Sequence, residues 1–283
     1  FYLMPEYFLF FILLIAALSH AICHSILKHN NNPLGLLGIT SICEIIIFTP
    51  LVFFVPLPTT YIWFLIIISA LLHGFYRMLV LYSYKFGDLS FVYPVARGGS
   101  SLLLAIISII YLNDNISLYG FLAIIVLCLG LFSISYSKKN NFNKVAFILG
   151  TLTAIMIASY TLVDGIGVRQ SSNAYTYLYW MLLLNGSPVL VASFLFKGTG
   201  LRKVNKDLFF KGISFGVLAP FAYGLVVWCM QYLPIVYASA LRETSIIFAT
   251  LIGMMVLKEK EANSRIVPSI FIVIGIGILY FQI

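Results

Sequence analysis

The sequence has little charge. Asp, Glu, Lys and Arg make up 9% of its 283 residues, whereas 61% are hydrophobic and the mean hydropathy is +1.04. A soluble domain carries about 25% charged residues, and at this length it still exposes about a quarter of its chain surface to water. The chain lacks the polar surface for this, so the composition excludes a soluble globular domain. It predicts an integral membrane protein with the lipid bilayer as its surroundings.

Several motifs that carry chemistry are also missing. The four cysteines stand singly in apolar runs without metal-ligand spacing, so we expect neither a disulfide framework nor a zinc site. No P-loop is present, which excludes direct ATP coupling within this chain. The first apolar stretch, 7–18, has no basic segment before it and no small-residue cleavage site after it, so no cleavable signal peptide is expected. We predict no cofactor, no metal and no enzymatic activity.

What the sequence does contain is long apolar runs, separated by short polar or Pro/Gly/Asn-rich breaks. A membrane-spanning helix needs about 20 mostly apolar residues. The runs therefore predict an all-α integral membrane protein with ten transmembrane helices, near 6–27, 33–55, 61–84, 90–112, 116–136, 143–167, 173–196, 207–231, 236–257 and 264–283.

The net charge of +8 is distributed unevenly between the loops. Alternate loops carry thirteen lysines and arginines, against Arg169 alone in the other set. Such a bias reports membrane orientation, so we expect no nucleic-acid partner. It predicts a multi-pass protein of the cell (inner or plasma) membrane, with the basic loops in the cytoplasm and both ends of the given sequence outside.

An internal repeat relates the two halves of the chain. A shift of 145 residues places Arg97 on Arg242 and Ser100 on Ser245, without a gap. An arginine that falls on an arginine is informative in a chain with so few charges. We predict two five-helix repeats, 1–139 and 140–283. Because each has an odd number of helices, the second enters the membrane from the opposite side, as in the inverted repeats of secondary transporters.

The fourth and ninth predicted helices carry a family resemblance. Their sequences read YPVARGGSSLLLAIISIIYLND (93–114) and ASALRETSIIFATLIGMMVLKEK (238–260). Together with the five-plus-five repeat, they resemble the EamA-type transporters of the drug/metabolite transporter superfamily over essentially the whole chain. The resemblance implies a central cavity lined by the first, third, fourth, sixth, eighth and ninth helices. It also implies cytoplasmic termini, the reverse of what the loop charges predict; we give the loop charges more weight.

Ionisable side chains inside the predicted spans are the candidate functional residues, because each costs at least about 2.5–3.5 kcal/mol at the membrane centre. Several lie four residues from a polar partner and so share a helix face, such as His20 with His24, His73 with Arg77, and Tyr160 with Asp164. The predicted substrate-binding residues are Arg97, Arg242, Glu243, Tyr93, Arg77, Tyr76, His24, Tyr223 and Trp228. The predicted proton- or ion-coupling residues are His20, Glu44 and Asp164.

Arg97 and Arg242 are the leading pair. A guanidinium group stays charged and grips a carboxylate or phosphate bidentately. Alternatively, each arginine pairs with Glu243, Glu44 or Asp164 and only ties helices together. Arg97 is the stronger candidate, since no acid adjoins it in the sequence, whereas Glu243 adjoins Arg242.

The remaining candidates keep alternative interpretations. His20 and His24 fit a proton relay, two ligands of a metal with Glu44, or hydrogen-bonded packing residues. Asp164 and Glu44 fit proton or cation carriers, or helix–helix hydrogen bonds. The aromatic cluster at 175–180, which includes Tyr177, is interpreted as an interfacial belt.

These features predict a secondary transporter that moves a small polar metabolite with an anionic group by alternating access. The leading substrate is an amino-acid-like zwitterion or an organic anion, and the protein is expected to be a monomer or homodimer. Three alternatives remain: proton-coupled efflux of cationic drugs, a flippase for lipid-linked carriers, and an intramembrane metal-dependent enzyme.

Overall fold

The structure, a computed structural model, describes residues 6–28, 30–83, 85–86, 89–112, 117–135, 143–196, 200–255 and 266–281. Within these ranges all regular structure is helical, which confirms the predicted all-α class. The helices are α1 (Glu6–Lys28), α2 (Pro33–Val52), α3 (Thr60–Ser83), α4 (Leu89–Ile107, continued by a π-helical turn Ser108–Leu112), α5 (Leu118–Ser135), α6 (Lys144–Gln170), α7 (Ala174–Asn185), α8 (Ser187–Leu195), α9 (Lys206–Cys229), α10 (Ile235–Arg242), α11 (Ser245–Met255) and α12 (Ile266–Tyr280). A short 3-10 turn, Gly200–Lys203, precedes α9.

Asparagine residues begin four of these helices. The side chains of Asn32, Asn143, Asn173 and Asn205 accept hydrogen bonds from backbone N–H groups in the first turns of α2, α6, α7 and α9. An asparagine cap satisfies N–H groups that have no partner within the helix and contributes about 1 kcal/mol. The polar breaks in the sequence therefore coincide with the observed helix starts.

Two predicted spans are not continuous helices. The seventh is divided at Gly186 into α7 and α8, because Pro188 follows in the first turn of α8 and has no backbone N–H to continue the ladder. The ninth is divided at Glu243 and Thr244 into α10 and α11. This turn is closed by bonds from the Glu243 N–H to the Ala240 carbonyl (3.0 Å) and from the Thr244 N–H to the Leu241 carbonyl (3.1 Å).

Five segments are long and apolar enough to cross a membrane by length and composition: Pro33–Val52, Thr60–Ser83, Lys144–Gln170, Ala174–Leu195 and Lys206–Cys229. Four shorter apolar helical segments accompany them, at Tyr7–Cys23, Val95–Tyr111, Leu118–Gly130 and Ile270–Tyr280. Large apolar side chains cover the outside of the bundle; on α3, for example, Phe64, Ile67, Leu71 and Phe75 are each at least half exposed. An apolar exterior of this kind faces lipid.

The helices of the two predicted halves pack mainly against each other. α3 and α4 both pack on α6, α1 packs on α9, α10 and α11, α2 packs on α7, α8 and α9, and α5 packs on α12. One large apolar cluster includes buried residues of both halves, such as Leu13, Leu65, Met181 and Val226. The two predicted repeats therefore share a core.

Candidate functional site

A central cavity lies between the helices, with an empty volume of about 1090 Å³ that includes open solvent. Side chains from α1, α2, α3, α4, α6, α7, α9 and α10 line it. These helices include all six whose participation the family resemblance implied. Two more, α2 and α7, contribute Leu37 and Glu44, and Leu182 and Asn185.

The cavity extends from the middle of the bundle toward the basic loops. Helices that end at the basic loops contribute residues from their middle and last turns, such as Cys23 on α1 and Leu81 on α3. Helices that begin there contribute residues from their early and middle turns, such as Val92 on α4, Thr153 on α6 and Phe215 on α9. The lysine-rich end of the molecule is therefore the end at which the helices are separated.

The opposite end is tightly packed. The missing side chain of Gly167 leaves room for the ring of Tyr177, and that of Gly165 leaves room for the side chain of Ile235. Arg169 donates hydrogen bonds from Nε to the Met230 carbonyl and from Nη2 to the Leu233 carbonyl, both at 2.8 Å. These contacts join α6, α7, α9 and α10 at the end away from the basic loops.

Arg97 and Arg242 meet at one carboxylate. The Nε of Arg97 lies 2.9 Å from Oε2 of Glu243, while Nη2 of Arg242 lies 3.8 Å from Oε1 of the same residue. Arg242 also approaches Ser239 Oγ at 3.4 Å and the ring of Tyr223 at 5.9 Å. Both arginines are almost fully buried and line the cavity. Arg97, which no acid adjoins in the sequence, thus pairs with Glu243 across the helix interface.

A second ion pair is formed by Arg77 and Glu44. Arg77 donates from Nη2 to Oε1 of Glu44 at 3.0 Å. The Arg77 side chain is 16% exposed and that of Glu44 is 2% exposed. Both residues line the cavity. This pair links α2 to α3.

Asp164 is fully buried and is bound by aromatic residues from three helices. Tyr177 of α7 donates to Oδ1 at 2.8 Å, and Tyr223 of α9 donates to Oδ2 at 2.5 Å. His73 of α3 places Nε2 3.9 Å from Oδ2. The rings of His73 and Tyr160 are in contact, with centroids 3.9 Å apart and planes inclined by 31°. His73, Tyr160 and Tyr223 line the cavity, and Asp164 lies behind them.

The other predicted residues are distributed around these groups. Tyr76 and His20 line the cavity. Trp228 is half-buried and packs against Tyr232 with centroids 5.1 Å apart. The side chains of Tyr93 and His24 lie outside what the structure describes.

Sequence reasoning missed three contributors. Tyr177 was interpreted as part of an interfacial belt, but it is fully buried on Asp164, so that interpretation is wrong for this residue. His73 and Tyr160 were noticed only as members of polar faces. The signal that identifies them is the i,i+4 pairing of His73 with Arg77 and of Tyr160 with Asp164, read across two helices together.

Among the described residues, no group of three or more His, Cys, Asp and Glu side chains is placed to hold a metal ion. His20 and Glu44 both line the cavity, while the third proposed ligand, His24, has its side chain outside the described set.

Comparisons with known proteins point to one family. Residues 144–281 match the EamA-like transporter family. No curated protein matches the chain. A solved crystal structure of a protein superposes with a TM-score of 0.75 at 11% identity and covers 96% of this chain and 95% of the other.

The structural likeness shows the fold at this low identity, and the family match covers the second predicted half. The match confirms the resemblance that was read from the fourth and ninth helices. The chain is therefore a multi-pass membrane protein whose residues 144–281 match the EamA-like transporter family.

Proposed function

We propose that this protein is a secondary transporter that carries a small polar metabolite with a carboxylate or similar anionic group. The observation that carries the proposal is Arg242. It is 1% exposed and lines the cavity, and among the described residues its Nε has no hydrogen-bond partner. Glu243 is nearer to Arg97 than to Arg242. A buried guanidinium with donors to spare suits the bidentate capture of a carboxylate.

The helix break beside Arg242 supports the same proposal. α10 ends at Arg242, and α11 begins at Ser245 after the turn. Discontinuous helices at the middle of the membrane are common at transporter binding sites, where a half-helix N-terminus favours an anionic group. Arg97, which the 145-residue shift relates to Arg242, is the second cationic group of the proposed site.

The packing of the helices supports alternating access by inverted repeats. Under the 145-residue shift, the packing of α3 on α6 corresponds to the packing of α9 on α1. In the same way, the packing of α4 on α6 corresponds to the packing of α10 and α11 on α1. Such an exchange of partners is expected of two inverted five-helix halves. The cavity opens toward the basic end and the opposite end is packed, so the structure corresponds to a cytoplasm-facing state in the proposed orientation.

The substrate class is tested by ligand binding to the purified protein. We expect glutamate, succinate or pyruvate to raise the melting temperature more than choline, a cationic probe. Arg242→Ala should weaken carboxylate binding about 10- to 100-fold, since a hydrogen bond to a charged group is worth about 1.5–3 kcal/mol. Arg242→Lys should recover part of the loss, because lysine keeps the charge without the planar fork.

The matched control is Lys211→Ala, which removes a cation in the solvent-exposed first turns of α9. It should bind carboxylates as the wild type does. If Arg242→Ala lowers the melting temperature but leaves carboxylate affinity unchanged, the arginine is structural. If only choline binds, cationic-drug efflux replaces anion transport, and if only lipid-linked anions bind, a flippase does.

Orientation has its own test. Lys203→Cys, in a variant whose four native cysteines are serine, should resist membrane-impermeant thiol reagents in intact cells, because the positive-inside bias places this loop in the cytoplasm. Rapid labelling would reverse the proposed orientation without affecting the binding site.

A further inference from the structure

The described structure contains a buried acid and a buried imidazole that face each other beside the proposed anion site. Oδ2 of Asp164 lies 3.9 Å from Nε2 of His73, and the two residues are 0% and 5% exposed. Two tyrosine hydroxyls donate to the carboxylate oxygens, one to each. Leaving such a carboxylate charged requires these donors, because an uncompensated buried charge is very costly.

The hydrogen bonds of His73 define where a proton can be held. Nδ1 lies 3.0 Å from the carbonyl oxygen of Ser69, which can only accept, so Nδ1 carries a hydrogen. In the neutral ring Nε2 then holds a lone pair, and this lone pair faces Asp164. One proton at Nε2 or on the carboxyl group converts two opposed acceptors into a donor and an acceptor.

Charged and titratable groups from all neighbouring helices act on this pair. Arg77 of α3 and Arg242 of α10 act electrostatically on His73, and Arg242 also acts on Asp164. Tyr160 lies against the ring of His73, and Tyr76 of α3 and Arg97 of α4 act electrostatically on Tyr160. Glu243 and Glu44 are engaged by their own arginines.

With His20 and His73 neutral and both glutamates ionised, the charges of the described cavity region balance when Asp164 is also ionised. The cations are Arg77, Arg97 and Arg242, and the acids are Glu44, Glu243 and Asp164. Three positive charges against three negative charges leave no excess for an anionic substrate. One proton on the His73–Asp164 pair raises the local charge to +1, which a single carboxylate neutralises.

We propose that His73 and Asp164 bind one proton and that this proton supplies the positive charge that an anionic substrate requires. The proton and the anion therefore bind together, and the protein couples their movement. This inference rests on the proposed transport of an anion. Asp164 is reached from the cavity through His73 or Tyr223, since both line it.

The site suits a proton better than a sodium ion. Sodium is bound by several oxygen atoms that present lone pairs, whereas the hydroxyls of Tyr177, Tyr223 and Ser69 donate to Asp164. The next neighbour of the carboxylate is a ring nitrogen, that of His73. Binding that depends on sodium instead of pH is one outcome of the test below, and it would overturn the proposal.

The proton site is tested first without a substrate. Infrared spectra of the purified protein in lipid nanodiscs should show a carboxylic-acid or histidinium band that titrates with pH and disappears in Asp164→Asn. Tyr223→Phe should shift this band, because the carboxyl group loses a hydrogen-bond donor while keeping its place. Asp207→Asn, an exposed acid in the first turn of α9, is the matched control and should leave the band unchanged.

The coupling is tested by carboxylate binding as a function of pH. Wild-type affinity for the best of glutamate, succinate and pyruvate should fall about tenfold for each pH unit above the midpoint of the infrared titration, because one proton is linked to one anion. Asp164→Asn imitates the protonated acid, so it should bind the same probe with little dependence on pH. At a pH well above that midpoint, wild-type binding should take up one proton per carboxylate bound, measured with a pH indicator in weak buffer.

Each result decides between the two proposals. If Asp164→Asn keeps the wild-type pH dependence, or no band titrates, the proton site is wrong while anion transport stands. If no carboxylate binds at any pH, anion transport and its coupling are wrong, and the infrared result still decides whether the pair binds a proton.

Discussion

The two ends of the bundle are built differently. At the basic end the helices are separated, and the facing side chains are ion pairs and aromatic rings around the cavity. At the other end glycines allow direct contact, and Arg169 binds two backbone carbonyls. Packing by small residues is short-ranged and intolerant of added volume, whereas charged groups around a cavity rearrange when an ion enters. The difference indicates which end of the bundle is closed in this structure and which end is open.

The largest loss of stability is expected from a substitution at Glu243, where the packed end of the bundle meets the cavity. Glu243→Ala removes the buried counter-ion of Arg97, and breaking a buried pair costs about 3–5 kcal/mol. The measurement is thermal or denaturant unfolding of the purified protein. Combining it with Arg97→Met should recover a large part of the loss, because no buried charge is then stranded. If the double variant were as unstable as the sum of both single changes, the pair would not hold the centre together.

A smaller loss of stability is expected when side-chain volume is added at the packed end of the bundle. In Gly167→Ala the new methyl group meets the ring of Tyr177, and overpacking of this kind costs about 1–3 kcal/mol. The control is Gly277→Ala on α12, where an added Cβ has no neighbour within 4 Å. It should be neutral or stabilise by about 0.5–1 kcal/mol, since alanine suits a helix better than glycine. Equal melting temperatures for the two variants would contradict the closed packing at Gly167.

The smallest expected difference in stability is between the substitutions of two arginines at opposite ends of the bundle. Arg169→Ala leaves the carbonyls of Met230 and Leu233 without these donors, and we expect a loss of about 1–3 kcal/mol. Arg77→Ala should cost less, although Glu44 is only 2% exposed, because Glu44 lines the open cavity and water can occupy the space of the removed side chain. A larger loss for Arg77→Ala would mean that the basic end is as rigid as the packed end.

The sequence predicted the helices well because the signals are local. Run length and polar breaks place each helix within a few residues, and the asparagine caps lie in those breaks. The break at Gly186 has a local signal in Pro188. The turn after Arg242 has neither proline nor glycine beside it and depends on tertiary contacts, so it was not predicted.

The site was predicted less completely, since its contacts join distant parts of the chain. The relation between Arg97 and Arg242 was visible as a repeat, and their meeting at Glu243 was one of the alternatives considered. Tyr177 and Tyr223 reach Asp164 from different helices, and no spacing in the sequence signals that convergence. The sequence identified Asp164 as a candidate residue, but it did not identify the groups that surround its side chain.

The lysines and arginines at the basic end also have a kinetic consequence. Lys85, Arg202 and Lys203 lie on the side toward which the cavity opens, and charges at a surface act over a Debye length of about 8 Å in physiological salt. An anion arriving from solution is drawn toward such a mouth before it touches the site, which raises the encounter rate and makes it sensitive to ionic strength. The residues that are proposed to orient the chain in the membrane would therefore also raise the rate at which an anionic substrate reaches the cavity.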